Sequence, residues 1–132
     1  IDQIKGGKEF RTGDWQGYRE DLEAVVDLGS VQHISGVSLG CLQDIKSWIW
    51  FPREVMFYCS EYGENWTEIG AISEPHQSDA DYGSFVHRYH SKLGCSNVRY
   101  VKVVAKNYGQ CPDWHLGSGG KTWLFVDEIE IE

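Results

Sequence analysis

Four kinds of stretch in this sequence hold residue types that do chemistry elsewhere. The first is GGKT at positions 119–122, because a phosphate-binding loop closes on Gly-Lys-Thr. Such a loop also needs a glycine five positions before Gly120, where His115 stands, and a following helix that aims its amides at the phosphate. The continuation WLFVDEIEIE alternates like a strand, so the glycines read as flexibility in a loop ahead of the last strand. The second is HRYH, with His87 and His90 three apart; on a strand such residues face opposite sides and cannot share one ion. His33 and His76 stand alone as ordinary polar residues. The third is Asp127-Glu128, which point apart on a strand, whereas paired-carboxylate chemistry needs two acids facing across a cleft. No G-x-S-x-G or H-E-x-x-H pattern occurs, and without a nucleophile beside its base no catalysis is expected.

The fourth kind is an aromatic ring among planar polar groups, and it occurs three times. RTGDWQGY at 11–18 puts Trp15 and Tyr18 beside Asp14, LQDIKSWIWFPREV at 42–55 puts Trp48 near Asp44 and Lys46, and CPDWHLGSGGKTWLF at 111–125 puts Trp114 and His115 after Asp113. A ring of this kind can lie against the C–H face of a pyranose while its polar neighbours take the hydroxyls. The candidate sugar-binding residues are therefore Asp14, Trp15, Tyr18, Asp44, Lys46, Trp48, Asp113, Trp114 and His115, with His115 the one histidine read as a binding group. Trp50, before Phe51-Pro52, and Trp123, before Leu124-Phe125, read as core.

These loops must be carried by strands. Period-two alternation places Val37, Leu39 and Cys41 on one face of 37–42 and Val55, Phe57 and Cys59 on one face of 54–60. Further strands are expected at 21–29, ending at Gly29, at 85–89 and 98–105, and at 125–132, where Phe125, Ile129 and Ile131 oppose Glu128, Glu130 and Glu132. No helical stripe exceeds two turns, so the pattern predicts an antiparallel sandwich or jelly roll. The polar stretch 73–84 reads as an exposed loop.

Composition narrows the function. A chain of 132 residues, 41% hydrophobic, suits one domain spanning 1–132. It starts at Ile1 rather than Met and closes on a strand, so it is expected to be part of a longer polypeptide. No apolar run approaches the roughly 20 residues that cross a bilayer. Twelve Lys and Arg against twenty Asp and Glu leave a formal charge of -8, which argues against nucleic acid and anionic lipid as partners. Cys41, Cys59, Cys95 and Cys111 lack metal-ligand spacing; they read as small core hydrophobes, with two disulfides left open.

DLEAVVDLG, VSLGCLQDIKSWIWFPREVMFYCSEYGENWTEIG, VRYVKVVAKNYG and WLFVDEIEI resemble, in order, the strands of the discoidin or coagulation factor 5/8 C-terminal type domain. FRTGDWQGY and CPDWHLGSGGKTWLFVDEI are similar to the version appended to bacterial β-N-acetylhexosaminidases (chitobiases), related to carbohydrate-binding module family 32. The resemblance implies an all-β, eight-stranded antiparallel jelly-roll β-sandwich of the galactose-binding-domain type, with its termini close together. It implies no catalysis in this domain and recognition of galactose or an N-acetylhexosamine by loops at one end. The partners it implies are a glycan and the glycosidase domain of the same chain, in the periplasm or on the cell surface of a bacterium, or secreted from it. It implies a structural calcium whose ligands match Asp2, Thr12 and Glu128. An alternative within the family is docking to a protein or membrane through an apolar tip, for which SWIWF at 47–51 is the candidate; the charge disfavours the membrane.

Overall fold

Short runs that alternate apolar and polar residues can bury one face only as paired strands. The computed structural model describes residues 16–73, 83–91 and 94–132. These form β1 (Gln16–Tyr18), β2 (Leu22–Ile34), β3 (Val37–Asp44), β4 (Glu54–Ser60), β5 (Thr67–Ile72), β6 (Ser84–Ser91), β7 (Cys95–Lys106) and β8 (Leu124–Ile131). One turn of 3₁₀ helix covers Ile45–Ser47. Two four-stranded sheets result, ordered β1-β8-β3-β6 and β2-β7-β4-β5, with every strand pairing antiparallel. The chain changes sheet at each connection except β4 to β5, and the expected eight-stranded antiparallel jelly-roll sandwich is the fold observed.

Both sheets contribute to a single large core. Val37, Leu39 and Cys41 of β3, Val55 and Phe57 of β4, Val101 and Val103 of β7, and Leu124 and Val126 of β8 are all buried in it, each apolar side chain contributing on the order of 1.5–3 kcal/mol. The antiparallel registers send the β1–β2, β3–β4 and β7–β8 connections to one end of the sandwich, and β2–β3 and β4–β5 to the other.

The last strand departs from simple alternation. Leu39 pairs with Ile129 and Cys41 with Val126, so three steps along β8 match two along β3, which is a bulge. The extra residue reverses the parity: Val126, Ile129 and Ile131 point into the core, while Phe125 joins Leu42, Ile49 and Trp123 in a small cluster on the outer side. Phe125 therefore does not share a face with Ile129 and Ile131 as the alternation suggested. Similarly β2 runs beyond Gly29, through a register break between Asp27 and Gln32, with Gly29 at φ 85 and its N–H donating to Asp27. Positions 74–82, most of the expected polar loop, lie outside the described residues.

The bulge delivers the Asp127 carboxylate, 2% exposed, to Arg88 on β6. Arg88 Nη2 donates to both Asp127 oxygens at 2.7 and 2.8 Å, its Nη1 donates to Ser38 Oγ at 3.0 Å, and the Gly40 amide donates to Asp127 at 3.0 Å. Three strands are thus joined across the central β3. A Cβ on Gly40 would sit 2.5 Å from the carboxylate oxygens, so only glycine leaves room for the pair.

Of the four cysteines, Cys41 and Cys111 are buried free thiols as read, and burial pushes Cys41 far above the ordinary thiol range, leaving it inert as a nucleophile. Cys59 and Cys95 are instead joined in a disulfide, because β4 and β7 are sheet neighbours.

Two stability outcomes are expected. Gly40→Ala lowers the unfolding free energy by about 3 kcal/mol, the cost of breaking a buried ion pair; urea denaturation measures it, and adding Asp127→Ala to that variant costs little more because the same pair is already lost. Replacing both Cys59 and Cys95 by Ser, which opens a covalent loop with a sequence separation of 36, lowers it by roughly 4 kcal/mol.

Candidate functional site

The loop end is built from two connections that lock together. After β3 the chain makes the 3₁₀ turn and ends it with Trp48 in the left-handed conformation, φ 64, its N–H donating to the Ile45 carbonyl at 3.1 Å. That backbone reversal turns the indole outward and returns the chain to Ile49 and Trp50, which are buried. The Trp48 carbonyl then accepts from the Trp123 amide at 2.7 Å, and the Trp50 amide donates to the Trp123 carbonyl at 3.0 Å, tying the β3–β4 connection to the end of the β7–β8 loop.

The β7–β8 loop, 107–123, is closed at its base by Asn107 and the fully buried Thr122. Thr122 Oγ1 donates to Asn107 Oδ1, the Gly109 amide donates to both side chains, and Asn107 Nδ2 donates to the Thr122 carbonyl. Higher up, the Cys111 amide donates to the Gly120 carbonyl at 2.8 Å and the Gly119 amide to the Cys111 carbonyl at 3.0 Å. The His115, Ser118 and Gly120 amides also donate to carbonyls within the loop, at 3.0, 3.0 and 2.8 Å, and this internal bonding keeps the tip rigid. Beneath it Trp50 stacks on Tyr108 at 4.8 Å with 15° between planes, and Arg53 caps the Tyr108 ring while its Nε donates to the Tyr108 carbonyl.

His115 joins the two connections. The Gly117 amide donates to Nδ1 at 2.8 Å, so Nδ1 presents its lone pair and Nε2 carries the hydrogen, which it donates to the Ile45 carbonyl. The ring is 5% exposed, with both nitrogens engaged. The rings of Trp48 and Trp114 stand against it edge-on, at 6.4 and 6.2 Å. Trp48 lies on a seat made by Gly117 and Gly120, where a Cβ would come within 2.5 and 2.4 Å of the indole. These glycines serve close packing under the ring rather than loop flexibility, correcting the expectation from sequence.

Trp48 is 37% and Trp114 39% exposed, and Lys46, Asp113 and the wholly exposed Leu116 accompany them at the tip. Asp44 is half-buried at the end of β3 and accepts from Ser84 Oγ at 3.3 Å. Tyr18 does not join the exposed rings: it packs against the core and donates to Gln16 Oε1 at 2.9 Å. His115 is at the predicted place but beneath the surface, with its polar atoms turned to the protein backbone. Trp50 is core as expected; Trp123 is half-buried in the outer cluster, under the Arg19 guanidinium at 5.2 Å. Asp14 and Trp15 lie outside the described residues. The alternative tip SWIWF buries Ile49, Trp50 and Phe51, so of its aromatic residues only Trp48 is offered to a partner. Asn107 and Thr122 escaped the sequence reading, although Asn two residues before Gly109 is a turn signal that marks the loop's start.

Among the described residues no group of three His, Cys, Asp or Glu side chains could hold a metal ion. Asp2 and Thr12, expected as calcium ligands, lie outside them; Glu128 is half-buried at the β8 bulge. The arrangement offers two apolar faces flanked by a carboxylate and an ammonium group on a prebuilt support. That suits stacking and hydrogen bonding.

The fold is shared with known proteins. Among solved structures, CpGH89CBM32-6 produced by Clostridium perfringens aligns with a TM-score of 0.52 at 18% identity, over 86% of this chain and 69% of its own. A pectin binding carbohydrate binding module aligns at 0.44 and 14% identity, over 92% and 75% of the two chains. The C-terminal domain of a chitobiase from Bacteroides fragilis aligns at 0.41 and 19%, over 85% and 65%. No family model and no curated protein matches the sequence. At these identities the likeness speaks to the fold, and there it agrees with the resemblance read from the sequence: the chain is similar in structure to a family 32 carbohydrate-binding module.

The clamp makes a specific demand. His115→Ala is expected to cost about 2 kcal/mol, since it strands a buried carbonyl and an amide. His115→Asn, which keeps an acceptor for Gly117, and His115→Gln, which keeps a donor for Ile45, should each recover part of this in thermal unfolding.

Proposed function

We propose that this chain is a non-catalytic carbohydrate-binding module that holds a parent glycoside hydrolase, of β-N-acetylhexosaminidase or chitobiase type, on glycans containing galactose or N-acetylhexosamine. The observation that carries the reading is the pair of half-exposed tryptophans that both stand edge-on to buried His115, Trp48 resting on Gly117 and Gly120. Flat apolar surface kept exposed on a rigid base is wasteful unless something covers it. Asp113 and Lys46 supply directional partners for hydroxyls at the rim. A single weak site is useful when tethered, because linkage to a catalytic domain turns later encounters into intramolecular ones.

The same reading places the parent outside the bacterial cytoplasm, where the Cys59–Cys95 disulfide would persist. It keeps calcium near the termini: the Glu128 carboxylate has no side-chain partner among the described residues, and it is the hard oxygen donor that calcium takes, with Asp2 and Thr12 as the other donors. The wholly exposed Leu116, two residues after Trp114 in the same loop, favours a second reading, docking to a protein surface such as the parent's catalytic domain.

Titrating galactose, N-acetylgalactosamine and N-acetylglucosamine while following amide resonances tests this. Shifts are expected at 45–48 and 113–120, and Trp48→Ala or Trp114→Ala should weaken binding about tenfold or more, the loss of one stacking face, with the fold unchanged. Silence of those amides to every sugar on a broad glycan array would overturn the proposal.

A further inference from the structure

The opposite end of the sandwich carries a concavity of its own. Its volume is about 370 Å³, within the roughly 300–1,000 Å³ range of ligand pockets. The β4–β5 turn and the first residues of β7 form it. Glu61, Tyr62, Asn65, Thr67, Ser96 and Asn97 line it, and the Cys59–Cys95 disulfide is part of its wall.

The walls are fixed. The disulfide fastens β4 to β7, Ser60 Oγ accepts from the Gly63 amide at 2.8 Å, and Gly63, at φ 82, rests against the Tyr100 ring. Asn97 takes the left-handed conformation, φ 58, at the break in register between β2 and β7. Non-glycine residues held in that region gather at ligand sites.

The lining has a definite chemistry. Two amides and two hydroxyls offer donors and acceptors together, and Glu61 adds an acceptor that can take two hydroxyls. None of Glu61, Asn65, Thr67 and Asn97 makes a side-chain hydrogen bond or ion pair with another described residue, so these groups are free to serve a ligand. Tyr62 is 76% exposed at the rim and presents a flat face. No Lys or Arg is among the described lining residues, and Glu61 repels a carboxylate or phosphate.

We propose that this pocket is a second binding site, for an uncharged saccharide, at the pole opposite Trp48 and Trp114. The twelve residues of β7 join the two ends, which at about 3.3 Å per residue sets the sites roughly 35–40 Å apart. A monosaccharide or disaccharide occupies one site at a time; a long glycan, or two neighbouring chains, engages both. The inference relies on the proposed function only for that gain in avidity, since the pocket's chemistry stands on its own lining.

Amide resonances followed during titration with galactose, N-acetylglucosamine and glucose provide the test. Two separable sets of shifts are expected, one over 61–67 and 95–97, the other over 45–48 and 113–120. Tyr62→Ala, which removes an exposed ring, and Asn97→Gly, which keeps the left-handed backbone while removing the amide, should each weaken the first set about tenfold and leave the second unchanged. Trp48→Ala should do the reverse. Shifts only at the tryptophan end, or a first set indifferent to both variants, would overturn the second site while leaving the first. Shifts only at the Tyr62 end would establish it and overturn the reading of the tryptophans, and silence at both ends would overturn both.

Discussion

One extra residue in β8 governs much of this molecule. The bulge opposite Gly40 brings Asp127 under the Arg88 guanidinium, and a buried carboxylate in that position costs several kcal/mol unless it is paired. Meeting this demand reverses the side-chain parity upstream, so Phe125 is expelled from the main core and Trp123 with it. They find shelter with Leu42 and Ile49 on the outer side of the sheet. That small cluster is what the β3–β4 connection rests on when it pairs with Trp123. The position of Trp48 in space is therefore a remote result of an electrostatic requirement in the middle of the sheet that leads into its loop.

The loop end combines opposite treatments of similar side chains. Trp50 and Trp48 are two residues apart, yet one is wholly buried on Tyr108 and the other half-exposed on a glycine seat. The left-handed backbone at Trp48 separates them. His115, which both exposed rings meet edge-on, turns its polar atoms inward to the backbone of both connections. A histidine with one donating and one accepting nitrogen is the side chain that can satisfy a carbonyl and an amide at once. Rigidity bought this way reduces the entropy lost on binding.

Local pattern revealed the strands and not their partners. Val37, Leu39 and Cys41 or Val55 and Phe57 announce a buried face because alternation is a property of neighbouring residues. The bulge leaves no such trace, since nothing in the pair Asp127-Glu128 says that Gly40 lies opposite. Cys59 and Cys95 look like core residues until β4 and β7 are known to be adjacent. Trp48 and Trp114 were legible as rings in polar company, and both do reach the surface. His115 was found for its company with Trp114 but its role depends on Ile45, seventy positions away. The glycines at 117 and 120 were visible, while the ring they accommodate comes from another loop.

The stack of Trp50 on Tyr108 has an optical side. Two nearly parallel chromophores held in a dry, chiral setting couple their transitions, and Trp114 leans on Trp50 at 5.5 Å. Indoles in such surroundings emit at shorter wavelengths than those bathed in solvent, as at Trp48. Trp50 thus contributes to the blue side of the emission and is sensitive to the integrity of the support, while Trp48 and Trp114, 37% and 39% exposed, contribute farther to the red and are sensitive to what settles on the rim.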